Sequence, residues 1–236
     1  MQQEPISMAV IARIHTDFPT KFGIPRQSGL VDALEATVVF EPDYRIPEAV
    51  RGLEEFSHIW LLWQFSASKG WSPTVRPPRL GGNQRLGVFA TRSPFRPNPI
   101  GLSSVRLTAV EHHPTLGPVL HVAGADLMDG TPILDIKPYI PYGDCHPDAT
   151  GGFTDRRARQ VLEVTLEEPW RSLVPPNRLE ALTGVLAQGP RPSYQHDPKR
   201  VYGLGFAGLD VRFTVDGERL TVVEIVKEEN GERTEQ

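Results

Sequence analysis

The chain has 236 residues, 39% of them hydrophobic and 23% charged, with 25 Lys and Arg against 29 Asp and Glu for a net charge of −4; that length and balance suit one large or two smaller globular domains. One cysteine, Cys145, excludes an internal disulfide, and the seven histidines are scattered without zinc spacing, so no metal site is expected. No basic leader precedes an apolar run and no stretch is long enough to span a membrane, so the chain is read as cytoplasmic.

Twenty-three prolines favour short strands joined by stiff loops over a helical bundle. Residues 8–14 read as a first strand, followed by a loop holding Pro19, Gly23, Pro25 and Gly29. Within it, Pro25-Arg26-Gln27 is basic and stiffened, and by default an exposed turn. Residues 34–40 form the next strand, and Pro47 opens a short helix over 48–55. Residues 58–65, HIWLLWQF, are apolar on both faces and predict a central, fully covered strand, with His58 a hydrogen-bonded core residue.

The densest signal is GVFATRSPFRPNPIG, residues 87–101. Its three prolines deny a continued ladder and hold Ser93, Arg96 and Asn98 extended, so Arg92 and Arg96 project from a rigid loop suited to an anionic or planar group. Between Glu55 and Glu111 there is no acid at all, against Lys69, Arg76, Arg79, Arg85, Arg92, Arg96 and Arg106. This +7 segment in a chain of −4 leaves −11 elsewhere, an asymmetry that points to an anionic partner docking here.

Residues 102–110 alternate as a somewhat irregular antiparallel strand, and 119–123 and 133–136 continue a meander. Between the last two lies ADLMDGTP, whose Asp129-Gly130 pair signals a tight turn. Several short strands at hairpin spacing predict an up-and-down or partly open β-barrel, and no G-x-G-x-x-G opens a βαβ unit, which excludes a doubly wound sheet. The polar, turn-rich residues 143–155 mark a boundary between a barrel domain, 1–150, and a small α+β domain, 151–236. The latter holds a strand at 161–166, a helix at about 178–188 and a hairpin turning at Asp216-Gly217, before charged, frayed residues 227–236.

Five motifs in order (Pro25-Arg26-Gln27, VRGL running to Phe56-Ser57-His58, RPPRLGGN at 76–83, GVFATRSPFRPNPIG, and DLMDGTP followed by DIKPY) resemble the TsaA-like (TrmO) family. The likeness covers about residues 8–150 and extends more loosely to AQGPRPSY at 187–194. It implies a mainly β fold with a TsaA-like barrel, not a Rossmann domain. It also implies an S-adenosylmethionine-dependent tRNA methyltransferase acting on N6 of threonylcarbamoyladenosine at position 37, next to the anticodon. Homodimers and the tRNA anticodon stem-loop follow as partners. Cofactor binding then falls to Pro25, Arg26, Gln27, Ser66, Ala67, Arg92, Leu102, Asp126, Leu127, Met128, Asp129, Gly130 and Thr131. Substrate binding falls to Arg76, Arg79, Arg85, Phe95, Arg96, Asn98 and Tyr139, with Arg79 or Arg96 reading the threonylcarbamoyl carboxylate and Trp71, Phe95 or Tyr139 stacking bases. Ser66 stands near where many family members carry a histidine, so no catalytic base is assigned. A cofactor-free RNA-binding barrel, and a methyltransferase with a small-molecule or protein acceptor, also fit these residues.

Overall fold

The computed structural model describes residues 6–80, 84–156, 161–191, 195 and 197–227, with the side chains of Arg79 and Arg156 outside the described set. Six antiparallel strands close into a barrel: β1 (Ala12–His15), β2 (Glu35–Phe40), β3 (His58–Gln64), and, beyond a two-stranded ribbon of β4 (Thr74–Val75) and β5 (Leu86–Gly87), β6 (Ile100–His113), β7 (Gly117–Ala123) and β8 (Thr131–Pro138). Closure leaves no unpaired edge in this sheet.

Period-two burial drives these strands. In β2 and β3 every second residue is buried, and Val38, Ile59 and Leu61 meet Ile14, Leu120 and Ile133 inside the barrel. Each such side chain contributes roughly 1.5–3 kcal/mol when fully covered. β3 is thus half-covered, not buried on both faces as its apolar run suggests. Leu62 and Trp60 face outward and are half-buried; the Trp60 indole donates to Asp144 Oδ2 at 3.0 Å. His58 is exposed, held by Ser57 and tilted against the Tyr139 ring, and is not a core residue.

The barrel order is β1-β2-β7-β6-β3-β8, so the expected meander is corrected. β7 does not pair with β8; the chain crosses from β7 to insert β8 between β1 and β3, and residues 124–130 form that crossover, not a hairpin. The expected helix at 48–55 is instead two 3₁₀ turns, Pro47–Val50 and Leu53–Glu55, interrupted by Gly52.

After a single helical turn, α1 (Pro141–Asp144), the chain enters a second sheet. Its strands β9 (Glu163–Thr165), β10 (Tyr202–Phe206), β11 (Leu209–Asp216) and β12 (Arg219–Lys227) run in the order β10-β11-β12-β9, with α2 (Leu179–Ala187) packed by Leu182, Val185 and Leu186. Among the described residues no helix is long and apolar enough to cross a membrane.

A candidate cofactor cleft at one end of the barrel

Four segments meet at one barrel end: the loop after β1, the end of β3 with residues 65–68, the arginine loop leading into β6, and the crossover before β8. They enclose a cleft of about 430 Å³, within the 300–1,000 Å³ usual for small-molecule sites. Of the thirteen residues expected at a cofactor site, Pro25, Arg26, Gln27, Ser66, Ala67, Arg92, Leu102, Asp126, Leu127, Met128 and Thr131 line it. Asp129 and Gly130 do not. The Asp129 carboxylate accepts from the Thr16 amide at 3.1 Å and lies 3.3 Å from His15 Nδ1, so the pair shapes the turn and ties it to the end of β1.

Asp126 is the centre of the cleft's polar chemistry. The Trp63 indole donates to Ser103 Oγ at 3.0 Å, and that hydroxyl donates to Asp126 Oδ1 at 2.6 Å. Burial pushes the Asp126 carboxyl above its ordinary range, while the Ser103 hydrogen bond and the Arg92 charge act in the opposite direction. The indole fits because Gly101 sits opposite it in the β3–β6 register: a Cβ there would lie 2.2 Å from the Trp63 ring. The ring then stacks edge-on to Phe65 at 4.2 Å, forming an apolar floor with Leu127 and Ile100. Sequence reasoning does not single out Trp63, Ser103, Phe65, Ile24 or Lys21. A tryptophan in an apolar strand reads as core, and only its register against Gly101 shows where it points.

Arg92 is exposed at the rim, donates to the Gln27 side chain, and forms no salt bridge among the described residues. Gln27 in turn donates to the Arg26 carbonyl, so Arg92 and the loop after β1 are stitched across the cleft. Arg96 also lines the cleft, but its Nη1 donates to the Thr91 and Val88 carbonyls at 2.7 and 3.4 Å and its guanidinium lies 5.8 Å from the Phe89 ring centroid. Its evident work is to hold its own loop.

The remaining substrate residues lie apart. Arg85 donates to Thr74 and braces the β4–β5 ribbon. Arg76, Phe95 and Asn98 are exposed outside the cleft lining, and Tyr139 packs on Trp60 at 5.6 Å. The Arg79 side chain, Gly81 to Asn83 of the RPPRLGGN motif and Pro192 to Tyr194 lie outside the described residues. The +7 segment does not form one face either: Arg106 lines a separate cleft between the barrel and α2 together with Arg178 and His121.

Profiles for the tRNA-methyltransferase O N-terminal domain and the TrmO C-terminal domain match residues 13–145 and 160–228. A relative from Escherichia coli (strain K12), tRNA (adenine(37)-N6)-methyltransferase, is 42% identical over 215 residues, 87% of this chain and 91% of its own. The chain belongs to the TrmO family. A Pseudomonas aeruginosa relative, named provisionally as an S-adenosylmethionine-dependent methyltransferase, is 42% identical over 216 residues, covering 88% of this chain and 91% of its own. A crystal structure of TrmO from the same species superposes with a TM-score of 0.80 at 35% identity, over 96% of this chain and 99% of that one. TrmO membership thus rests on both halves of the chain.

Proposed function

We propose that the chain is an S-adenosylmethionine-dependent methyltransferase acting on N6 of adenosine 37 in tRNA, with the threonylcarbamoylated nucleoside as acceptor. The observation that supports the cofactor is the convergence of Arg92, Asp126 and an apolar floor in one cleft at the barrel end, and the acceptor follows the relative named tRNA (adenine(37)-N6)-methyltransferase, 42% identical to this chain.

The residues fit the cofactor. The floor of Trp63, Phe65 and Leu127 offers apolar surface for an adenine and a methionine chain, and Arg92, bound by no acid among the described residues, offers a forked donor for a carboxylate. Asp126 presents a carboxylate that is nearly covered yet oriented by Ser103, an acceptor for ribose hydroxyls or an ammonium. When bound, S-adenosylmethionine supplies an electrophilic methyl group on a sulfonium, and the electrons of the broken S–C bond stay on sulfur.

The chain's own residues then position and shield. They would orient N6 of the acceptor adenine toward that methyl group, and the N6 proton would be lost to solvent once the new N–C bond left the nitrogen positively charged. That order requires no strong base, in keeping with Ser66 at the rim. Rate is gained mainly by orientation in a site of restricted water. Calorimetric titration tests the cofactor half of the reading. S-adenosylmethionine should bind the wild type, and Arg92→Ala should lose about 1.5–3 kcal/mol of binding, roughly 10- to 150-fold in Kd; equal affinity would remove Arg92 from the site.

A further inference from the structure

The loop between β1 and β2 supplies the Pro25-Arg26-Gln27 wall of the cleft, yet its side chains do not belong to the barrel core. Phe18, Val31 and Leu34 are at most 6% exposed and are all packed within the hydrophobic cluster of the C-terminal sheet and α2, with Phe22 and Ile24 against its margin. Phe18 meets Phe206 of β10 edge-to-face with centroids 5.4 Å apart. Gly23, at φ 87°, lies so close to Leu204 of β10 that a Cβ would fall 2.1 Å from its Cδ1. The Ala207 amide donates to the Asp17 carbonyl at 2.9 Å. At the loop's base Arg178, just before α2, reaches Asp17 at 3.0 Å and Glu35 at 2.6 Å. The barrel's core cluster contains no residue from 16–34; its hold on this segment is by hydrogen bonds such as Gly29 N to Gly124 O, 2.9 Å, and Asp129 N to Phe18 O, 2.8 Å.

We infer that the C-terminal unit is a positioning element for the cofactor cleft: Phe18, Leu204, Phe206 and Arg178 hold the loop whose tip carries Pro25, Arg26 and Gln27. The inference rests on the cofactor reading above. Arg92 is partnered by Gln27, so a loosened loop removes both a wall and the brace that aims the rim arginine. Without its anchor the loop, rich in proline and glycine, has little of its own to order it, and the ordering entropy falls on ligand binding instead. None of the anchoring residues Phe18, Leu204 or Phe206 lines the cleft, so they act through the loop.

The test combines amide hydrogen exchange of the cofactor-free full chain with S-adenosylmethionine binding and steady-state kinetics, for the wild type, Phe18→Leu, Arg178→Gln and the barrel-core control Val38→Ala. Arg178→Gln alters an ion pair without opening the core and serves where the Phe18 variant folds poorly. Phe18→Leu and Arg178→Gln should speed exchange of residues 19–28 while strand β2 stays protected, and should weaken cofactor binding by about ten- to a hundredfold. KM for the cofactor should rise while kcat at saturation holds, and Val38→Ala, though destabilised overall, should keep both KM and loop protection. Unchanged loop exchange in both variants, or faster exchange with unaltered affinity, would overturn the inference. A wild type that binds no S-adenosylmethionine would instead refute the cofactor reading, a result distinct from a wild type that binds and variants that bind equally well.

Discussion

Asp126 is the residue at which burial works against the role proposed for its carboxylate. Its carboxyl is held above the ordinary value of 3.8, mainly by burial, so the native state keeps this proton to higher pH than the unfolded chain does. Stability from this group is therefore present below the unfolded value and lost as pH rises through the native one, leaving a penalty at neutral pH. Asp126→Asn should be at least as heat-stable as the wild type at pH 7, with a flatter dependence of Tm on pH from the ordinary carboxylate value upward, and should bind S-adenosylmethionine roughly tenfold more weakly. Scanning calorimetry across pH with a parallel titration reads both; a variant less stable at neutral pH would show that the carboxylate is retained for folding. The sequence displays this aspartate in a motif, but its setting depends on Ser103 of β6, which donates to it and in turn accepts from Trp63 of β3.

Among the elements, strands with clean alternation are legible in the sequence and the rest are not. β2 and β11 follow their apolar periods, β12 does so as far as Val222 before a register shift, and the turn at Asp216-Gly217 falls where the dipeptide predicts. β10 escapes because YGLGF places glycines at every second position, and glycine is depleted in strands; the buried Tyr202, Leu204 and Phe206 supply the real pattern. β8 is recognisable as a strand but not in its place, since its partners are fixed by barrel closure and not by sequence neighbourhood. Three of the five motifs, Pro25-Arg26-Gln27, the arginine loop and residues 126–131, meet at one barrel end, whereas VRGL to His58 and DIKPY lie at the other; Asp129 and Gly130 fall outside the cleft because a motif does not separate the turn from what the turn presents. The basic segment likewise divides into Arg85, bound to its own ribbon, and Arg76, exposed at the surface where a phosphate can reach it. Charge reversal at Arg76 should weaken tRNA binding and lower the slope of log K against log salt by about 0.7–0.9 for each phosphate no longer neutralised. An unchanged slope in filter-binding titrations would place the docking face elsewhere.

At the scale of the whole molecule, one wall of the cleft, the loop after β1, packs on the core of the C-terminal sheet and α2, and on the proposed reading this chain of net −4 meets a polyanion through separate exposed arginines and not through one basic face. Under the proposed function the cleft takes the cofactor, with Arg92 at its rim paired to no acid among the described residues. On the proposed reading, a rim arginine that pairs with the threonylcarbamoyl carboxylate loses that charge-assisted bond on plain adenosine, about 1.5–3 kcal/mol. The most direct measurement is single-turnover methylation of tRNA with and without prior threonylcarbamoylation, read by mass spectrometry of the nucleosides. The proposed function predicts an N6-methyl group on threonylcarbamoyladenosine 37, formed about ten- to a hundredfold faster than on unmodified adenosine. Equal rates on both tRNAs would contradict carboxylate reading, and no methyl group at position 37 of either would contradict the proposed function itself.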